Sequence, residues 1–301
     1  MTSALLRPPP DAPIGVFDSG VGGLDVAAEL TLTLPSERLI YLGDSARVPY
    51  GTRTPEEVKR FTEEAILTLV ERGVKAVVLA CNTASAWALE ELSERYSLPI
   101  LGMIEAGVEA AEAVERQLPI GSPRGVLILA TPRTIDAQAY QRRFMGARGF
   151  VDAPMYALAC PVFVPLVEAG WAEHEISALS AQLYLEELIS RRGDQVKEEV
   201  GVALLGCTHY PLLRASIIKG FSRVLGREVS VVDGAHRVGL QLKDRLSALG
   251  ALSPQHEPVS SEEHVILMTG DPSISQPLAE RFWRARLGRP LPPMRQITIT
   301  G

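Results

Sequence analysis

The chain has 301 residues, 46% of them hydrophobic and 22% charged, which is typical of a globular protein with about two domains. A net charge of −6 and the lack of any lysine- or arginine-rich run exclude an electrostatic reason for binding nucleic acid or an acidic membrane surface. No apolar stretch in the sequence approaches the length that crosses a bilayer, so we expect no membrane insertion.

The N-terminal segment Met1–Pro13 contains a run of three prolines and lacks the apolar core of a signal peptide. It is predicted to be a disordered leader, and the protein is predicted to be cytoplasmic, where cysteines stay reduced. The three cysteines lie at positions 81, 160 and 207 with no CxxC pair. This spacing predicts neither a disulfide framework nor a metal site.

Short apolar runs alternate with helical patterns along the chain, which predicts an α/β fold with parallel strands joined by crossover helices. The clearest helix start is Thr54-Pro55-Glu56-Glu57, a capping box that opens a helix running to about Gly73. In such folds ligands gather at the carboxyl ends of the strands. The predicted strands are Ile14–Phe17, Leu39–Leu42, Ala76–Ala80, Ile100–Gly102, Val126–Leu129, Val202–Leu205, Val229–Val232 and Val265–Met268.

Two strand ends resemble each other, because 77–83 (VVLACNT) and 202–208 (VALLGCT) both place a cysteine and polar residues after an apolar run. The two cysteines lie roughly one domain length apart. We therefore predict two similar lobes with the active site in the cleft between them. The first lobe is predicted to comprise 14–105 plus 229–301, and the second 106–228.

Cys81 and Cys207 stand at predicted strand ends beside polar residues, whereas Cys160 fits a buried packing role. A free thiol has a pKa of about 8.5, so modest tuning lets one cysteine be a thiolate while the other stays protonated. Two such groups on opposite faces of a carbon could remove and return a proton with inversion. The pair therefore predicts racemisation.

Other segments near these strand ends leave alternatives open. The glycine-rich turn at 15–23 lacks the third glycine of a dinucleotide loop, whose position holds Asp25, so it is either a small-anion turn or a strand-to-helix turn without a ligand. Pro49-Tyr50-Gly51 is either a binding loop or a plain turn. His209 is either an acid, base or orienting group or a structural histidine, and Glu168 alone would be taken for a surface carboxylate.

The combined segments resemble the glutamate racemases of the aspartate/glutamate racemase superfamily from about Ile14 to the final helix. The resemblance rests on GVFDSGVGGL (15–24), YLGDSARVPYGTR (41–53), ACNTASA (80–86), LATPRTI (129–135), CPVFVPLVEAGW (160–171) and LLGCTHYPLL (204–213). It implies interconversion of L- and D-glutamate without pyridoxal phosphate, nucleotide or metal, to supply D-glutamate for peptidoglycan synthesis. It also implies a homodimer whose pairing mode varies between members.

The resemblance further implies roles for individual residues. Cys81 and Cys207 would be the two catalytic acid/bases, with Asp18 assisting at Cys81, and Glu168 and His209 assisting at Cys207. The residues implied to bind substrate are Asp18, Ser19, Pro49, Tyr50, Gly51, Asn82, Thr83, Thr131, Thr208 and His209.

Three alternatives remain at the level of the sequence. A sister enzyme acting on aspartate or another small acid would share the scaffold. A thiol hydrolase built on Cys207 and His209 is disfavoured, because adjacent positions on one turn seldom form such a pair. A two-lobed amino-acid binding protein would share the α/β class, although binding alone gives no reason for two strand-end thiols.

Overall fold

A computed structural model describes residues 8–146 and 153–299 of the chain. They form two compact units. The first unit comprises the residues up to Gly102 together with those from Val238 onward, and the second comprises Met103–Arg237.

The first part of unit 1 alternates strands and helices. Its helix α2 begins at the predicted capping box, in which Thr54 accepts a hydrogen bond from the Glu57 N–H and Glu57 accepts one from the Thr54 N–H. This prediction is confirmed, although α2 ends at Val70 rather than about Gly73. The elements are β1 (Ile14–Asp18), α1 (Leu24–Thr33), β2 (Leu39–Gly43), α2 (Pro55–Val70), β3 (Ala76–Leu79), α3 (Asn82–Arg95) and β4 (Ile100–Gly102).

Unit 2 is built from one continuous stretch of chain. Its strands, as far as the structure describes them, form a parallel sheet in the order β6-β5-β7-β8, with β7 buried along its whole length. The elements are α4 (Met103–Glu115), β5 (Gly125–Ala130), α5 (Pro132–Asp136), α6 (Ala139–Met145), β6 (Met155–Ala159), α7 (Phe163–Glu168), α8 (Glu175–Arg192), α9 (Gln195–Glu199), β7 (Val200–Gly206), α10 (Arg214–Leu225) and β8 (Ser230–Val232).

The last part of the chain completes unit 1. It contributes α11 (Ala235–Ala248) from Val238 onward, β9 (Val265–Met268), α12 (Pro272–Leu287) and β10 (Met294–Gln296). The parallel sheet of unit 1, over its described residues, has the order β10-β9-β2-β1-β3-β4. The central strands β1 and β3 are buried throughout, as expected of parallel strands covered on both faces.

The predicted α/β class with parallel sheets flanked by helices is confirmed, and each predicted strand is present with ends shifted by two residues at most. Two strands, β6 and β10, were missed. Both lie at sheet edges, and two of the three β10 residues are exposed, so neither shows the fully apolar pattern of a central strand. Among the described helices, none has the length and apolar character that a membrane span requires.

Three details of the predicted domain organisation differ from the structure. The first lobe was predicted to run to residue 105, whereas this part of unit 1 ends at Gly102. The boundary at 228/229 is too early, because β8 pairs with β7 and so belongs to unit 2. The leader prediction covers residues 1–7, which lie outside the described residues, and 8–13, where the chain is held in place. There the Ala12 N–H bonds the Pro9 carbonyl, and the Pro10 and Asp11 carbonyls accept hydrogen bonds from Lys75 and Arg38.

A buried ion pair ties this leading segment to the base of unit 1. Lys75 Nζ lies 2.6 Å from Glu37 Oε2, and both side chains are at most 3% exposed. The other oxygen of Glu37 accepts a hydrogen bond from the Ser253 N–H at 2.8 Å. The pair therefore joins the chain before β1, the turn after α1 and the segment after α11.

Candidate active site

Asp18 and Cys81 meet at one edge of the unit 1 sheet. Strands β1 and β3 are paired with Phe17 opposite Leu79, so the residues that follow both strands lie side by side. Asp18 is fully buried, and its carboxylate accepts the Gly20 N–H at 2.9 Å. The Cys81 Sγ lies 3.5 Å from the Ser19 Oγ, within hydrogen-bond range for sulfur. The predicted strand-end position of these groups is observed.

The glycine-rich turn packs directly against Asp18. A Cβ added at Gly23 would lie 2.5 Å from the Asp18 Cβ, a distance that no side chain allows. Glycine therefore permits the close approach of the turn to the carboxylate. The Gly20 N–H of this turn donates to the Asp18 carboxylate, so this donor is bonded within the protein.

Burial raises the pKa of the Cys81 thiol to about 11, and the negative charge of Asp18 adds to this rise. Hydrogen bonds from the Ala84 backbone and from Ser19 act in the opposite direction. Cys81 stands at the N-cap of α3, followed by the buried residues Asn82 and Thr83 of the first helical turn. In the ligand-free protein Cys81 is therefore a protonated thiol at neutral pH.

The effect of Asp18 on this thiol can be measured directly. We expect Asp18→Asn to speed the alkylation of Cys81 by iodoacetamide at neutral to mildly alkaline pH, because loss of the carboxylate charge lowers the thiol pKa. Below that pKa the reactive thiolate fraction grows about tenfold per pH unit. Mass spectrometry of the Cys81 peptide against time gives the rate at each pH. Ser19→Ala is the matched control with the opposite sign, since its hydrogen bond lowers the pKa. Unchanged or slower alkylation in Asp18→Asn would contradict the assignment.

The loop after β2 is organised by a carboxylate that the sequence analysis missed. Asp44 is fully buried and accepts hydrogen bonds from the Tyr50 hydroxyl (2.6 Å), Arg47 Nε (2.6 Å) and Thr269 Oγ1 (2.8 Å). The Tyr50 side chain is only 1% exposed, and burial together with Asp44 raises its pKa well above the usual value. The Tyr50 hydroxyl is thus bonded to Asp44, while Pro49 is exposed and Gly51 partly exposed.

In unit 2 a second group of residues meets at the carboxyl ends of β5 and β7. Ala130 pairs with Gly206, which places the next residues, Thr131 and Cys207, at one sheet edge. Cys207, Thr208 and His209 are each 8% exposed. The Thr131 hydroxyl caps α5 and lies 2.9 Å from the Thr134 hydroxyl. The thiol of Cys207 and the polar side chains around it therefore lie together at the carboxyl ends of two adjacent strands.

His209 links this group to α7. His209 Nε2 lies 3.4 Å from a carboxylate oxygen of Glu168, the last residue of α7, whose side chain is 49% exposed. The carboxylate thus reaches solvent while the imidazole stays buried. The resemblance implied a role for this pair at Cys207, and the structure places the two side chains within ion-pair distance of each other.

Cys160 and Tyr140 are the other chemically notable side chains near Cys207. Cys160 is fully buried, its thiol lies 3.6 Å from the Leu158 carbonyl, and burial raises its pKa well above the usual value. This agrees with the packing role expected for it. Tyr140 was not singled out from the sequence. It is buried, packs within 3.0 Å of where a Gly206 Cβ would stand, and its pKa is raised by burial and by the charge that Cys207 carries as a thiolate.

The predicted site residues thus form two groups, one in each unit. Unit 1 holds Asp18, Ser19, Pro49, Tyr50, Gly51, Cys81, Asn82 and Thr83, and unit 2 holds Thr131, Glu168, Cys207, Thr208 and His209. The sequence signal that could have identified Asp44 is the same one that identified Asp18. Both residues directly follow or end a buried strand, and those strands are neighbours in the sheet.

Comparisons with known proteins agree with this arrangement. The Asp/Glu/Hydantoin racemase family profile matches residues 24–238. A glutamate racemase of Geobacter metallireducens is 39% identical over 277 residues, covering 91% of this chain and 94% of the relative. The chain therefore belongs to the Asp/Glu/Hydantoin racemase family.

Within this family the chain groups with the glutamate racemases and is an isomerase. The crystal structure of the Thermus thermophilus glutamate racemase, in complex with β-chloro-D-alanine, is 38% identical with a TM-score of 0.77 and covers 97% of this chain and 98% of its own. That of Francisella tularensis, in complex with D-glutamate, is 29% identical with a TM-score of 0.79 and covers 96% of this chain and 98% of its own. The predictions of family and of enzyme class are confirmed.

Proposed function

We propose that this protein interconverts L- and D-glutamate by a two-thiol acid/base mechanism that uses no pyridoxal phosphate, nucleotide or metal. The observation that carries the proposal is the matching position of Cys81 and Cys207. Each follows a buried parallel strand, and each has polar or charged groups beside it. Glutamate as substrate is supported by the relatives, including the Francisella tularensis enzyme crystallised with D-glutamate.

In the proposed reaction one sulfur, as thiolate, takes the Cα proton, and the other, as thiol, gives a proton to the opposite face of the carbon. Each turnover leaves the two sulfurs with exchanged protonation states, so proton number is conserved. The raised pKa of Cys81 favours its thiol form, which suits this residue to the role of proton donor. A positive group beside Asp18, such as the substrate ammonium, would offset the carboxylate charge and favour the thiolate form of Cys81.

Asp18 and the His209–Glu168 pair are proposed to assist proton transfer at the two thiols. Asp18 raises the basicity of Cys81, whereas His209 lies two residues after Cys207 and is within ion-pair distance of Glu168. The remaining polar groups would bind the ammonium and carboxylates and stabilise the carbanion-like transition state in a water-poor site. The proposed binding groups are Ser19, Asn82, Thr83, Thr131, Thr208 and the loop at Pro49–Gly51.

The role of Tyr50 is proposed to be indirect. Its hydroxyl donates to Asp44 and is shielded from solvent, so the backbone of Tyr50 and Gly51 is the part of the loop left for a substrate carboxylate. Asp44 fixes this backbone through three side-chain hydrogen bonds. A rigid loop reduces the entropy lost when substrate binds.

The cellular setting is proposed from the same resemblance. The D-glutamate formed would supply peptidoglycan synthesis, and the enzyme would work in the cytoplasm, where its catalytic thiols stay reduced. We also propose that the enzyme is a homodimer. Support for a dimer comes from large apolar side chains exposed on unit 2.

Racemisation in heavy water tests the proposal. Purified protein without added cofactor should convert L-glutamate and D-glutamate to the same mixture, with loss of optical rotation and deuterium at Cα. Mass spectrometry and polarimetry follow the two events in one sample. If folded protein exchanges the Cα proton of aspartate or another small acid but not that of glutamate, the substrate assignment is wrong and the two-thiol chemistry survives. Exchange with neither substrate class would overturn both.

A further inference from the structure

Arg47 lies in the loop after β2 and joins this loop to the helix α2. Its Nε donates to the buried Asp44 carboxylate at 2.6 Å, and its Nη1 donates to Glu64 of α2. The guanidinium carbon lies 4.1 Å from the centre of the Phe61 ring on the same helix, and that ring also packs on Tyr50 with 5.7 Å between ring centres. A single side chain therefore connects the carboxylate that organises the loop to two residues of α2.

The backbone at Arg47 is held in place as well. The Arg47 carbonyl accepts hydrogen bonds from Nε and Nη2 of Arg53, at 3.3 Å and 3.1 Å. Arg53 in turn lies 3.7 Å from the carboxylate of Glu57 in the first turn of α2. The segment between the two arginines contains Tyr50 and Gly51, whose backbone is proposed to bind a substrate carboxylate. These bonds therefore fix both ends of the segment that would contact substrate.

Arg47 also supplies the positive charge that offsets the buried carboxylate of Asp44. The other bonding partners given above for this carboxylate, the Tyr50 and Thr269 hydroxyls, are neutral. Without Arg47 the loop would carry a buried negative charge at the place where a substrate carboxylate is proposed to bind, and like charges repel strongly in such a site. The ion pairs around the loop are Arg47 with Asp44 and Glu64, Arg53 with Glu57, and Arg60 with Glu64.

We infer that Arg47 is a positioning residue for substrate binding, which holds the loop against α2 and neutralises Asp44 so that the backbone of Tyr50 and Gly51 can receive a negatively charged carboxylate. A loop that is already ordered loses less entropy when a ligand binds. The planar guanidinium suits both tasks, because it donates to two carboxylates and stacks on an aromatic ring, which a lysine ammonium does not reproduce. The inference rests on the proposed binding of glutamate by this loop and names the side chain that prepares it.

Racemisation kinetics with D-glutamate test the inference. Arg47→Met should raise KM by about 10-fold or more and change kcat by less than about threefold, because the loop would hold ground state and transition state alike. Arg47→Lys keeps the charge without the fork and should recover part of the loss in KM. Arg60→Met is the matched control, since Arg60 lies 5.0 Å from the centre of the same Phe61 ring and pairs with Glu64, and its KM should stay within about twofold of wild type. An unchanged KM in folded Arg47→Met would overturn the inference.

A double variant separates the charge of Arg47 from its contacts. Asp44→Asn combined with Arg47→Met leaves no buried charge, and the asparagine oxygen can still accept the Tyr50 hydroxyl. Its KM should lie at least about threefold below that of Arg47→Met alone, and a KM no lower would overturn the neutralising role.

Hydrogen exchange of the loop amides gives a readout that needs no substrate. Peptides covering residues 45–53 should exchange faster in Arg47→Met and at the wild-type rate in Arg60→Met, while unchanged exchange in β1 and β3 shows that both variants are folded. Wild-type exchange of the loop in Arg47→Met would overturn the positioning role. Wild-type protein that does not racemise glutamate would instead overturn the proposed function, and the exchange result would still decide whether Arg47 fixes the loop.

Discussion

Replacing either Cys81 or Cys207 by serine is expected to reduce racemisation by roughly 1,000-fold, within the usual contribution of a positioned acid or base. A hydroxyl gives up its proton far less readily than a thiol, so a serine at either position cannot act as the base at neutral pH. Both single variants should lose racemisation in both directions, because in the proposed mechanism every turnover uses both groups. Polarimetry with L-glutamate and with D-glutamate, each as the starting substrate, measures the loss.

Cys160→Ala is the control for this experiment. Cys160 is the third cysteine of the chain, is fully buried and takes no part in the proposed proton transfer. Its replacement should leave the racemisation rate within a few-fold of wild type while lowering stability by about 1 kcal/mol, since a small buried group is lost. Full activity in either Cys81→Ser or Cys207→Ser would overturn the two-thiol mechanism.

Lys75→Met is expected to destabilise unit 1 by about 3–5 kcal/mol, the usual result of leaving one member of a buried ion pair without its partner. Glu37 would keep its charge in a site that is 3% exposed, with only the Ser253 N–H as a remaining bond. The Pro10 carbonyl would also lose its hydrogen bond to Lys75. Urea unfolding followed by circular dichroism measures the change.

Two further variants test whether the loss of stability arises because the Lys75–Glu37 ion pair is buried. Glu37→Gln combined with Lys75→Met should recover much of the lost stability, because no charge is left buried and the glutamine oxygen can still accept the Ser253 N–H. Lys59→Met breaks an exposed pair, in which Lys59 and Glu91 are 3.2 Å apart and both more than 40% exposed, and should cost less than about 1 kcal/mol. Equal effects of Lys75→Met and Lys59→Met would contradict the argument.

Much of the fold could be predicted from the sequence because its central strands are continuous apolar runs. The same strands carry the candidate site, since Asp18, Cys81 and Cys207 lie at their carboxyl ends. The domain boundary was misplaced at β8 because an apolar strand of three residues shows burial but not the sheet in which it is buried. Only pairing with β7 assigns it to unit 2.

The role of Tyr50 could not be predicted for a different reason. Its hydroxyl partner, Asp44, is close in sequence, but Asp44 is held in turn by Thr269, 225 residues further along the chain. No local pattern relates these two positions. A tyrosine in a loop near a candidate site indicates a ligand contact when read alone, whereas its three-dimensional neighbours show a hydroxyl bonded within the protein.

The hydrogen bond from Thr269 to Asp44 sets the stage of protein synthesis at which the Tyr50 loop can be fixed. Thr269 follows β9, which pairs with β2 and is synthesised after the whole of unit 2. Unit 2 is continuous and can fold as soon as its own residues have left the ribosome, whereas the sheet of unit 1 stays incomplete until β9 arrives. The nascent chain therefore carries both thiols before Thr269 can bond Asp44, so the Tyr50 loop, proposed to bind substrate, is fixed only after the residues of unit 2 have been made.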